Sequence, residues 1–332
     1  MTLRRCLVGV LVVVVVVVMM AVACSSAKPP AVSTNPLAGV HFYVDPGGHA
    51  VQQVKAWKQA GDTKDAQALK PIADQPTAVW FGADKGDPRT AAAELTKRAA
   101  AAKAVPIFTI YNLPQRDCGQ YSSGGAPSVE SYQGWLWALG QGIGTNRAVV
   151  ILEPDAIAHA LVGCGGSASA GQRYQLLASA VGTLRAEAPQ ARVYIDAGNP
   201  NWINDLDALA DALRQSGVAQ AAGFALNTSN FVSTKDNETY GGRLSQLLGG
   251  AHFVVDTSRN GAGPDASNNW CNPPGRALGE RPTTNAKNPL VDALLWVKQP
   301  GDSDGTCVPE APKAGEWWAS YALDLVRSGP KT

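Results

Sequence analysis

Residues 148–155 read AVVILEPD, five apolar residues followed by a glutamate, a proline and an aspartate. A segment this short with no polar position has no wet face, so it reads as a strand buried on both sides, as in a parallel sheet covered by helices. Runs of the same kind recur on either side: VHFYV (40–44), TAVWFG (77–82), VPIFTIYN (105–112), RVYIDAGN (192–199), AAGFALNTSN (221–230), HFVVDTSRN (252–260) and LLWVKQPGDSDG (294–305). Between them lie stretches with helical spacing and good helix formers, AAAELTKRAAAAK (91–103), SYQGWLWALGQGIG (131–144), GQRYQLLASAVGTLRAEA (171–188) and NDLDALADALRQSG (204–217). Strand and helix alternating this many times predict an α/β fold, a closed or nearly closed parallel barrel forming one domain over residues 37–332.

The chain has 332 residues, 28 basic against 27 acidic side chains, and a formal net charge of +1. Such a balance gives no footprint for nucleic acid and no polybasic membrane patch. The N-terminus stands apart: Arg4 and Arg5 precede an apolar run from Leu7 to Ala23, which reads as an export signal over residues 1–24. Ala21-Val22-Ala23 fits a signal-peptidase site, whereas Cys24 resembles a lipobox cysteine and would carry a lipid anchor. Secretion and attachment to the cell envelope both remain open on these residues. A Pro/Ser tether, SSAKPPAVSTNP (25–36), follows. Past it, Cys118, Cys164, Cys271 and Cys307 are an even set in an oxidising compartment, predicting two disulfides in any of three connectivities. The four histidines (41, 49, 159 and 252) show no ligand spacing, so no metal site is expected.

Polar residues gather just after the apolar runs: Asn112 and Asp117, Glu153 and Asp155, Asp196 and Asn199, Asn227 and Asn230, Asp256 and Arg259, and Lys298 with Asp302 and Asp304. In a parallel barrel that end of the strands forms the active-site mouth. Two aspartates, Asp117 and Asp155, presented from successive strand ends are what acid/base cleavage of a glycosidic bond needs: one protonates the leaving oxygen while other carboxylates handle water and charge. Each also has a bland reading. Asp155 sits where it would cap the helix PDAIAHAL, and Asp117, Asp196 and Asp256 lie in turn-like sequence. Repetition at four strand ends favours the chemical reading. Trp202 and Trp270 lie in Asn/Gly/Pro-rich loops and suit stacking on a sugar, whereas Trp80, Trp135, Trp137, Trp296, Trp317 and Trp318 are expected in the core. GCGGSA (163–168) echoes a dinucleotide-binding turn, but it follows a helical run and not a strand.

The ordered motifs YNLPQRDC, SSGGA, ILEPD, YIDAGN, FALNTSNF, VDTSRNG, NWCNPPGRALG and WVKQPGDSDG resemble glycoside hydrolase family 6, the cellulases, over the whole mature domain. The resemblance implies a distorted barrel of about seven strands. It also implies an inverting hydrolase acting without metal or organic cofactor on β-1,4-glucan or cello-oligosaccharides. Asp155 would be the proton donor and Asp117 the carboxylate that keeps it protonated, passing a proton along a water chain near Ser123. Tyr111 would press on the sugar. Asp304 would be the base, with Arg259 and Lys298 keeping it ionised. Sugar binding would fall to Trp202, Asn230, Trp270, Lys298 and Asp302, and the disulfides would be Cys118–Cys164 and Cys271–Cys307. Two positions depart from the family: Asn199 stands where histidine is frequent, and the loop VDPGGHA (44–50) lacks a tryptophan. The activity expected is an exported endo-β-1,4-glucanase with an open cleft, because the loops after Asp117 and Gln299 look too short to roof it. The alternatives are a cellobiohydrolase and a catalytically silent glycan-binding lipoprotein.

Overall fold

Among the described residues there are seven strands: β1 (Val79–Phe81), β2 (Ile107–Ile110), β3 (Ala148–Leu152), β4 (Ala191–Asp196), β5 (Gly223–Leu226), β6 (His252–Asp256) and β7 (Val291–Leu295). They lie in one sheet in sequence order, and every neighbouring pair is parallel. The structure is a computed structural model describing residues 34–163 and 170–329. The expectations placed on the export segment, on Cys24, on Cys164 and on most of the tether therefore lie outside the described residues. From Asn35 onward the chain is one unit.

The apolar runs are buried on both faces because side chains alternate between two cores. In β3, Ala148, Val150 and Leu152 face the helices. Val149 and Ile151 face the barrel interior with Ile107 of β2, Tyr194 of β4, Ala225 of β5 and Val254 of β6. The helices Pro88–Ala101, Val129–Ile143 and Leu206–Gln215 coat the outside, each started by an acidic or hydroxyl side chain that accepts a backbone N–H of its first turn: Asp87 from Thr90, Ser128 from Ser131, Asp205 from Ala208. Such caps contribute about 1 kcal/mol each.

The sheet curls until its two edges meet without pairing as strands. The seam is held by Ala78 N–H donating to Trp296 O (2.9 Å), Trp80 Nε1–H to Val297 O (2.8 Å) and Gln299 Nε2–H to Ala78 O (3.0 Å). Trp80 is half-buried: it packs against the interior core, where the sequence assigned it, and also lines the cleft. Trp296 is core, 1% exposed, but Trp137 lies on the outer surface, 45% exposed, under the Arg89 guanidinium. The run VHFYV is not an eighth strand. It makes a single bridge, Phe42 with Val105, before Asp45-Pro46-Gly47-Gly48 turns the chain into the helix His49–Gln59.

Candidate active site

The C-terminal ends of the strands open into a cleft of about 820 Å³ that reaches from Asn199 and Trp202 after β4 to His49 and Asp302 beside the seam. Asp155, the second residue after the Glu153 that follows β3, lines it. It occupies the position before the helix Ala156–Leu161, yet its side chain makes no capping bond, which removes the bland reading. Asp155 Oδ2 instead accepts the Tyr111 hydroxyl at 3.4 Å. The backbone that aims it is left-handed at Glu153 (φ 48°) and again at Asp155 (φ 70°), which costs about 1–3 kcal/mol at each residue. Hydrogen bonds hold it there. The Glu153 carboxylate accepts the N–H groups of Asn112 and Leu113 at 3.0–3.1 Å, and Asp196 Oδ1 accepts those of Asp155 and Gly198 at 3.0 and 3.1 Å.

Burial pushes the Asp155 carboxyl well above the usual carboxylate range, and the neighbouring charges of Asp196 and then Asp117 push it further. Asp196, which the sequence placed only at the mouth, thus stands with Asp117 among the charges that act on Asp155. Burial raises Asp196 itself to about 6 and Glu153 to about 7. Asp117 is raised by burial too, and its Oδ2 accepts the N–H of Ser122 at 2.6 Å. Arg116 stiffens this loop, donating to Ser122 O (2.8 Å) with its guanidinium 4.7 Å from the centre of the Tyr111 ring. The loop returns through Gly125, where a Cβ would stand 1.9 Å from Leu113 O, so no other residue fits. Ser123 lines the cleft, exposed. Cys118 is disulfide-bonded; the partner expected for it, Cys164, lies outside the described residues.

Asp304 is the electrostatic opposite of Asp155. Its burial works against ionisation, but Arg259 and Lys298 outweigh that and hold the carboxyl below its ordinary value. Arg259, fully buried, donates to both oxygens at 2.8 and 3.0 Å, and Lys298 Nζ lies 3.1 Å from Oδ1. The Phe231 ring lies 4.4 Å below the guanidinium carbon. Sequence reasoning missed Asn272, which makes a reciprocal pair: its N–H donates to Asp304 Oδ2 (3.0 Å) and its Oδ1 accepts the Asp304 N–H (2.8 Å). The expected Cys271–Cys307 disulfide is present and pins both partners' loops. Asp256 keeps its bland reading, for its carboxylate accepts the N–H groups of Ser229, Ser258, Val297 and Lys298 and acts as a staple between strand ends.

Of the residues expected to bind sugar, Trp202, Asn230, Trp270, Lys298 and Asp302 all line this one cleft. Trp202 stands edge-on to His159 at 5.0 Å, and Asn199 lies beside them. Trp270 is 42% exposed and 6.2 Å from Tyr121. The loop carrying Asp117 reaches the loop that follows β7. Tyr121 lies on Gly305, where an added Cβ would meet its ring at 2.5 Å, so the loops from β2 and β7 touch.

Known proteins share this fold. The chain is 46% identical over 289 residues to endoglucanase A of Cellulomonas fimi, covering 86% of this chain and 61% of that one. It is 38% identical over 309 residues to endoglucanase 1 of Streptomyces halstedii, covering 91% and 93%. Among solved structures, the endoglucanase Cel6 of Mycobacterium tuberculosis, in complex with methyl-cellobiosyl-4-deoxy-4-thio-β-D-cellobioside, superposes with a TM-score of 0.82 at 43% identity, over 89% of this chain and 99% of that one. The sequence profile of glycosyl hydrolases family 6 matches residues 37–329, and the chain belongs to that family.

Proposed function

We propose that this protein is an endo-β-1,4-glucanase that cleaves cellulose-type glucans and cello-oligosaccharides with inversion. The observation that carries the reading is one cleft holding two aspartates in opposite states: Asp155 kept protonated by burial and by Asp196, Asp304 kept ionised by Arg259 and Lys298. A protonated carboxyl donates to the leaving glycosidic oxygen, and an ionised one accepts a proton from the water attacking the opposite face. Tyr111, bonded to the acid, orients it towards the sugar, while Asp117 and Ser123 serve the water path. A silent glycan binder has no use for this opposition. No nucleophile is required, so the first product is the α-anomer. Proton NMR of cello-oligosaccharide cleavage, read before mutarotation, tests this; early β-anomer overturns it.

A cellobiohydrolase remains the second reading, favoured by one observation, the contact of Tyr121 with Gly305, which brings the loops after β2 and β7 together beside the cleft. The export signal over residues 1–24 supports action outside the cytoplasm, where the Cys271–Cys307 bond is stable. Mass spectrometry of the mature N-terminus separates cleavage after Ala23 from lipidation of Cys24.

A further inference from the structure

At the seam end of the cleft, His49 stands in the loop that the sequence singled out for lacking a tryptophan. Its Nδ1 lies 2.7 Å from Asp302 Oδ1, joining the first turn of the helix His49–Gln59, ahead of β1, to a loop that follows β7, 253 residues apart. The imidazole is nevertheless 46% exposed, and both residues line the cleft. With Nδ1 committed to Asp302, the ring leaves Nε2 for a ligand, and Asp302 keeps Oδ2. The Trp317 ring, 6.1 Å from the imidazole and anchored by Nε1–H to Gln53 Oε1, backs the pair. An imidazole nitrogen and a carboxylate oxygen fixed side by side match the neighbouring hydroxyls of a glucosyl unit, each of which both donates and accepts.

We propose that His49 is a substrate-binding residue at the seam end of the cleft, where its imidazole and the Asp302 carboxylate together grip adjacent hydroxyls of one glucosyl unit. The proposal rests on the glucanase reading and adds a residue to it. It also makes binding sensitive to pH. Protonated His49 donates from both nitrogens; deprotonated, it still donates Nδ1–H to Asp302 but its Nε2 becomes an acceptor. The groups facing it are Asp302, which raises its pKa, and Lys85, which opposes that. Asp45, paired with Arg98 at 3.7 Å, and Glu316 line the same end.

The test compares His49→Ala and His49→Asn, since asparagine keeps a donor near the Nδ1 position and thus the tie to Asp302. Cellotetraose binding is measured by calorimetry with Asp155→Asn also present, and KM and kcat are measured in the otherwise wild-type chain. Both variants are expected to weaken binding roughly tenfold, the loss of one hydrogen bond to a charged partner, with the change falling on KM. The wild-type KM should rise as pH climbs through the His49 pKa and stay flat in His49→Asn. Recovery of wild-type affinity by His49→Asn alone would reduce His49 to a tether and overturn the proposal, as would unchanged binding in both variants. If the wild type neither binds nor cleaves cellotetraose, the glucanase reading itself falls and takes the proposal with it.

Discussion

Asp155 and Asp196 share one buried corner, and the arrangement costs stability in order to keep a proton. The folded pKa of Asp155 lies above its unfolded value of 3.8, so ionisation penalises the folded state as pH rises past that value, and folding is favoured below it. Asp155→Asn removes the penalty along with the proton. It should lower kcat on cello-oligosaccharides by about 10²- to 10⁴-fold while raising the melting temperature at neutral pH, the two proteins converging below pH 4 by calorimetry. The wild-type rate should fall at high pH as Asp155 ionises, and at low pH only when Asp304, held below its ordinary value, is protonated. Asp196→Asn takes the largest neighbouring charge away from Asp155, so the alkaline limb of its kcat profile should move to lower pH; an unmoved limb would assign that control to Asp117. These couplings were only half legible in the sequence. Aspartate at a strand end is visible as a letter, but its ionisation depends on partners such as Asp196, 41 residues from Asp155, and Arg259, 45 residues from Asp304. Asn272 carried no signal at all, because an asparagine in a Pro/Gly loop reads as a turn residue until its mate is known.

Strands were the most readable elements, since a segment buried on both faces has to be apolar throughout, and β2, β3 and β6 fall inside the runs that marked them. VHFYV misled because its apolar residues pack without a ladder: Tyr43 N–H donates to Val105 O and Val105 N–H to His41 O, and pairing stops there. Trp80 packs against the core as expected, but its indole N–H also serves the seam between β1 and β7, which closure creates and no local pattern announces. The Cys271–Cys307 pairing came from family resemblance, whereas counting cysteines left three connectivities open. Its closed loop, a separation of 36 residues, should contribute about 4 kcal/mol on the chain-entropy account. Replacing both cysteines with alanine should therefore lower the denaturant midpoint. It should also raise the pKa governing the acid limb, because Asn272 sits next to Cys271 and its N–H is one of the donors that favour ionised Asp304.

At the scale of the molecule, the cleft at the C-terminal strand ends has His49 at its seam end and Trp202 at its β4 end, with Asp155 and Asp304 among the residues that line it. Fluidity of a polymer solution reports the mode of attack: viscosity of soluble cellulose should drop steeply before many reducing ends appear, and a slow drop with mainly cellobiose released would favour the cellobiohydrolase reading. Tyr121→Ser, which clears the ring from Gly305 and Trp270, should steepen the drop further. The ring is 48% exposed and stands 6.2 Å from Trp270, a contact worth about 0.5–1.5 kcal/mol. At this one position an exchange of side chain, with every loop unchanged in length, is expected to shift cutting between the middle of a glucan and its end.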